Sequence, residues 1–135
     1  MQSLVANWAN NDPAAAAQWL SNFPNSDQKN NAYSNIANGW ARNDPVQAAN
    51  WLTQLSPGAP RDAAVRSFSN QVFETDPESA YQWAESINDP GARQSQVAST
   101  LSRWMHTDPT NAAIAVQKSS LTSEQKNNLL QQANH

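Results

Sequence analysis

Asp44-Pro45-Val46-Gln47-Ala48-Ala49-Asn50-Trp51-Leu52 is the stretch that decides the fold. Its Asp-Pro pair returns at a fixed step of 32 residues, as Asp12-Pro13, Asp44-Pro45, Asp76-Pro77 and Asp108-Pro109, with no insertion between units. Seven residues after each of the first three Asp residues stands a tryptophan: Trp19, Trp51 and Trp83. A constant period of roughly 20–50 residues marks a repeat architecture. A fifth pair, Asp89-Pro90, lies out of register where the second unit has Pro57-Gly58, so it marks a turn inside a hairpin.

One unit can be read physically. Asp is a strong N-cap, because its carboxylate accepts from the orphan amides of a first helical turn. Pro suits the next position, where no amide hydrogen is needed. Asp44-Pro45 therefore opens a helix. Ala48, Trp51, Leu52 and Leu55 follow at i, i+3, i+4 and i+7, which is one apolar face. Ser56-Pro57-Gly58-Ala59-Pro60 breaks it. A second helix is expected over about Pro60–Glu74, with Ala64, Val65, Phe68, Val72 and Phe73 as its apolar face.

The other units superpose without gaps. Ala16, Trp19, Leu20 and Phe23 correspond to Ala80, Trp83, Ala84 and Ile87. Ala32, Tyr33, Ile36 and Trp40 fill the second-helix slots, as do Val97 and Trp104, with Leu101 one position late. The expected fold is an all-α solenoid of stacked helical hairpins in one repeat domain, 1–135. Residues 1–11 are a leading second helix carrying Leu4 and Trp8; 12–43, 44–75 and 76–107 are three full units. Residues 108–135 are an atypical last unit, where Trp becomes Ala115, Leu becomes Val116 and the next apolar slot becomes Ser119. Its final helix is expected to start near Thr122 with Gln125 as a capping-box partner, and to carry Leu129, Leu130 and Ala133. Gly39 and the run Ala14–Ala17 are read as helical residues. The chain opens like the middle of a unit, which suggests a segment of a longer protein.

Composition narrows the function. The net charge of −3 offers no basic footprint for nucleic acid. With the four repeating Asp residues assigned to caps, seven acids face eight Lys and Arg, on a surface supplied with 17 Asn and 13 Gln. That neutral, amide-rich surface leans toward a cell-envelope or extracellular setting. There is no cysteine, so disulfides and thiolate chemistry are excluded. No apolar run approaches a membrane span, so no membrane insertion is expected.

Asp12-Pro13 with Ala16 and Trp19, Asp44-Pro45 with Ala48 and Trp51, and Asp76-Pro77 with Ala80 and Trp83 resemble tetratricopeptide-like repeats. In that family Asp-Pro separates hairpins, and an Ala and an aromatic residue follow. The family's unit is 34 residues, and its small Gly in the first helix is missing here, where Phe23, Leu55 and Ile87 lie nearby. The chain is also similar to degenerate Trp-x-x-x-Asp-Pro helical arrays of large bacterial proteins. Both resemblances imply a right-handed α-solenoid that binds proteins or peptides.

Candidate residues follow from the pattern. Asp12, Asp44, Asp76 and Asp108 are expected as structural caps rather than metal ligands or catalytic acids. Trp19, Trp51, Trp83, Trp40 and Trp104 are expected in the core, since large aromatics at helical spacing supply buried area. A stacking row for sugars is the competing reading. Lys29, Arg61 and Arg93 share one slot near the starts of the second helices, where a cation opposes the dipole and is expected to reach an Asp cap or exposed carbonyls of a neighbouring hairpin, with an anion-binding row as the competing reading. By the family resemblance, Gln18, Asn50 and Gln82, with Thr53 and Glu85 alongside, would form an amide-rich inner column able to hold an extended peptide. No catalytic constellation, metal cluster or cofactor motif emerges, so no enzyme and no cofactor are expected. Three readings stand: a protein- or peptide-binding scaffold, a structural spacer without a ligand groove, and a glycan-binding module.

Overall fold

The computed structural model describes residues 12–132, which form eight α-helices and no strand. They are α1 (Pro13–Leu20), α2 (Asp27–Asn43), α3 (Pro45–Gln54), α4 (Ala59–Val72), α5 (Pro77–Glu85), α6 (Pro90–Thr107), α7 (Pro109–Lys118) and α8 (Ser123–Gln132). The expected leading helix over 1–11, with Leu4 and Trp8, lies outside the described residues, as does Ala133. Gly39 and Ala14–Ala17 are helical.

The short helices α1, α3, α5 and α7 all begin in the same way. Asp12, Asp44, Asp76 and Asp108 hold φ between −153 and −148° and ψ between 77 and 82°. Each Oδ1 accepts from the amide three residues on, at 3.1–3.3 Å. The amides of Asp44, Asp76 and Asp108 also donate to Trp40, Val72 and Trp104 carbonyls at 2.7–2.8 Å. One residue thus closes a long helix and opens the next short one. Such a cap contributes about 0.5–2 kcal/mol.

The longer helices start by other means. Ser26 caps α2 at the Lys29 amide, and Asp89 caps α6 at the Ala92 amide. Asp89-Pro90 thereby opens the second helix of a hairpin. Gly58 precedes α4 with no side-chain cap and φ +153°, a conformation that L side chains rarely adopt. The expected second helix over Pro60–Glu74 ends instead at Val72, whose carbonyl takes the amides of Thr75 and Asp76 in a turn. Thr122 and Gln125 form a reciprocal capping box, each amide bonding the other's side chain at 3.1–3.2 Å.

Neighbouring helices share one core. Ala16, Leu20, Ala48, Trp51, Leu52, Ala80, Ala84, Ala112 and Val116 line it from the short helices, Ile87 from the loop after α5, and Tyr33, Ile36, Val65, Phe68, Val97, Leu101 and Trp104 from the long ones. Leu101 sits one position late because it takes the slot of Ser69. That slot is fully buried too, and the Ser69 hydroxyl donates to the Ala80 carbonyl at 2.8 Å. In the last unit Ala115 and Ser119 stay buried, and Leu121 and Leu129 add apolar cover.

The long helices are not evenly spaced. α2 and α4 form the most extensive helix pair, with the Ser34 and Ser67 hydroxyls in contact between them. α4 and α6 meet over only a short stretch. The register explains the difference. The position of Ser34 in α2 is held by the exposed Arg66 in α4, which is too bulky for the same close approach. The slot of Ala32 and Ala64 becomes Gln96 in α6, and its Nε2 reaches back to Asn70 Oδ1 of α4 at 2.9 Å. A long amide spans a gap that a methyl group could not.

Candidate functional site

A groove runs between the short helices α1 and α3, floored by α2. Its walls are Ala14, Ala17, Gln18 and Ser21 on one side and Gln47, Asn50, Gln54 and Leu55 on the other, and it encloses about 460 Å³. Tyr33, Trp40 and Trp51 form the floor. Both neighbouring ring centroids lie 5.6 Å from that of Trp51, with Tyr33 tilted by 55° and Trp40 by 32°. The rim is thus made of uncharged amides over an aromatic base. Burial raises the pKa of the Tyr33 phenol.

Gln18 and Asn50 are brought together here, on opposite walls. Thr53 is exposed and donates to the Asn50 carbonyl at 2.7 Å, which directs its hydroxyl to its own helix. Gln82 is exposed on α5 but does not line this groove. Glu85 is already engaged. Its carboxylate accepts from the Ser120 amide at 2.9 Å, the Ser120 hydroxyl at 2.6 Å and the Tyr81 hydroxyl at 3.0 Å. It therefore latches α5 to the loop after α7, a use that leaves little capacity for a peptide.

The Glu85 latch has a pH consequence. The pKa of Tyr81 is raised by burial first, then by its hydrogen bond to Glu85 and by that negative charge. Tyr33 and Tyr81 are the only tyrosines, and both are held above the ordinary value of 10.0. The folded chain keeps these protons where the unfolded chain releases them. Their contribution to stability is complete below pH 10 and declines as the pH rises through the folded values. An alkaline titration should show tyrosinate absorbance appearing only above the free-tyrosine range, together with loss of helical circular dichroism. Ordinary titration of both phenols in the intact fold would contradict it.

Each repeating tryptophan packs rather than standing free. Trp51 and Trp104 are buried; Trp19, Trp40 and Trp83 are half-buried. Trp83 meets Phe68 of the preceding long helix at 5.6 Å, the counterpart of Trp51 on α2, and Trp19 meets Phe23 edge-on at 4.5 Å.

The basic slot divides. Lys29 donates to the Phe23 carbonyl at 2.7 Å and Arg93 to the Ile87 carbonyl at 3.3 Å, both within their own hairpins. Arg61 alone crosses to the next hairpin, reaching the Ser86 carbonyl at 2.8 Å. Beside it, Asp62 accepts from the amides of Asn88 and Asp89 at 2.8 and 3.0 Å, so two consecutive residues clamp one loop. The counterpart of Asp62 one unit earlier is Asn30, whose Oδ1 is buried without a partner. The matching loop residues there are Ser56 and Pro57, and Pro57 has no amide hydrogen to give.

Gln47, Gln54 and Tyr33 were not named as site residues from the sequence, and Trp40 and Trp51 were expected only as core. Gln47 and Gln54 lie three residues before and four after Asn50, so helical spacing carried that signal. Tyr33 and Trp40 of the floor come from the preceding hairpin, and their meeting with Trp51 depends on how the hairpins pack. No described helix is long and apolar enough to cross a membrane. No family model, curated protein or solved structure matches the chain.

Proposed function

We propose that this chain is a non-enzymatic helical-repeat scaffold, a tetratricopeptide-like α-solenoid built on the 32-residue period, that binds an extended peptide segment of another protein. The observation that carries this reading is the α1–α3 groove, where Gln18, Gln47, Asn50 and Gln54 surround an aromatic floor. An extended backbone presents donors and acceptors whatever its side chains, and side-chain amides can meet both. The glycan reading is weaker, because Trp51 is buried and the half-buried rings of Trp19, Trp40 and Trp83 are packed on other aromatics. The spacer reading keeps one observation in its favour: the amide column does not continue evenly to Gln82 and Glu85.

The test is retention of a partner by the chain, followed by titration of that partner against the Gln18→Ala/Asn50→Ala double variant. Two net hydrogen bonds of about 0.5–1.5 kcal/mol each predict a loss of roughly 5- to 150-fold in affinity. Unchanged affinity with the fold intact would move the site off this groove and favour the spacer.

A further inference from the structure

The groove does not end at Gln54 and Leu55. Together with Ser21 and Tyr33, these residues also line a second cleft of about 320 Å³, which continues to the first turns of α2 and α4. There the walls include Asn25, Lys29, Pro57 and Arg61. The two clefts together contain both cations and no Asp or Glu. The acids collect elsewhere: Asp27, Asp62 and Asp89 border a separate basin of about 820 Å³ along α2, α4 and the start of α6.

Neither cation is bonded to a carboxylate. Lys29 Nζ donates to the Phe23 carbonyl and to Asn25 Oδ1, and Arg61 to the carbonyl and hydroxyl of Ser86, all neutral acceptors. Lys29 Nζ also lies 5.7 Å from the Tyr33 ring centroid, at the junction of the two clefts. In a chain of net charge −3, an acid-free groove ending on two cations is polarised along its length. Charges within a Debye length of about 8 Å at physiological salt act on a bound chain with little screening.

We propose that the groove is directional: it selects an extended peptide whose uncharged stretch lies over Tyr33, Trp40 and Trp51 and whose Asp or Glu side chain meets Lys29 and Arg61. This rests on the peptide-binding reading above and deepens it. The uncharged amides give affinity without sequence preference, and the cationic end sets the orientation.

The experiment uses the full chain and a random library of terminally blocked peptides, so that a carboxylate can come only from a side chain. Retained peptides are expected to be enriched in Asp or Glu toward one end. Replacing that Glu with Gln in a retained peptide should weaken binding about tenfold, the usual scale for a lost charged hydrogen bond. In Lys29→Gln, checked for intact fold by circular dichroism, the Glu-to-Gln difference should fall by at least about half on a logarithmic scale, and rising salt should shrink it further. Arg61 is left in place because it ties the Ser86 loop. Retained peptides without acidic preference, or a Glu-to-Gln difference untouched by Lys29→Gln, would overturn the directional groove while leaving peptide binding standing. Retention of no peptide at all would overturn both.

Discussion

Trp51→Ala is expected to destabilise the fold by about 3–5 kcal/mol, the usual range for truncating a buried tryptophan. The ring is buried and closes the Tyr33–Trp51–Trp40 stack, so the truncation removes its apolar area from the core and two aromatic contacts at once. The tyrosine and tryptophan of α2 would then face a void between the first two hairpins. The same slot in the last unit is Ala115, buried beside Val116 with no ring to contribute. Protection against hydrogen exchange should therefore be higher in α3 and α4 than in α7 and α8. Chemical denaturation of the variant, with exchange on the parent chain, measures both. A loss under about 1 kcal/mol would mean that the first and second hairpins are held by α2 and α4 alone, and equal or better protection of α7 and α8 would contradict the gradient. Because Trp51 also floors the groove, its removal should weaken ligand binding as well as stability, whereas Gln18→Ala/Asn50→Ala should weaken binding alone.

Helix type and the starts of the short helices were legible in the residues because their causes are local. An Asp N-cap, a Pro after it and an apolar face at helical spacing need no distant partner, and α1, α3, α5 and α7 begin at the four repeating Asp-Pro pairs. The Thr122–Gln125 box is local in the same way. The site was legible only in part. Gln18 and Asn50 belong to one groove because α1 and α3 flank it, but their counterpart Gln82, and Glu85 in the slot of Thr53, go elsewhere. The partner of Glu85 is Ser120, 35 residues away in a loop whose path follows from the packing of α7. Lys29 and Arg61 share a slot with Arg93, yet only the first two meet in one cleft. A repeat in sequence predicts equal local structure. It does not fix the spacing between units, which side-chain volume is expected to set.

Ala64→Gln tests that last point. It places in α4 the side chain that α6 carries at the same repeat position, Gln96. Gln96 is buried and well accommodated, because α6 stands away from α4 and its amide reaches Asn70. At Ala64 the surroundings differ. The residue is fully buried, and α4 lies along α2 in the most extensive helix pair among the described residues, with Ser34 and Ser67 in contact. A Gln there must push α2 away or distort its own rotamer, at about 1–3 kcal/mol for overpacking. Its amide adds about 1–3 kcal/mol more if it stays unpaired in the core. The expected result is a loss of several kcal/mol for Ala64→Gln, well above that for a Gln placed at an exposed position of the same helix, such as Ala59→Gln. If close α2–α4 packing is the cause, a second change that widens the gap in the manner of Arg66, namely Ser34→Arg, should make the two substitutions less than additive. A neutral Ala64→Gln would mean that the long helices can respace freely, and that the difference between the α2–α4 and α4–α6 pairs is not set by side-chain volume at these positions.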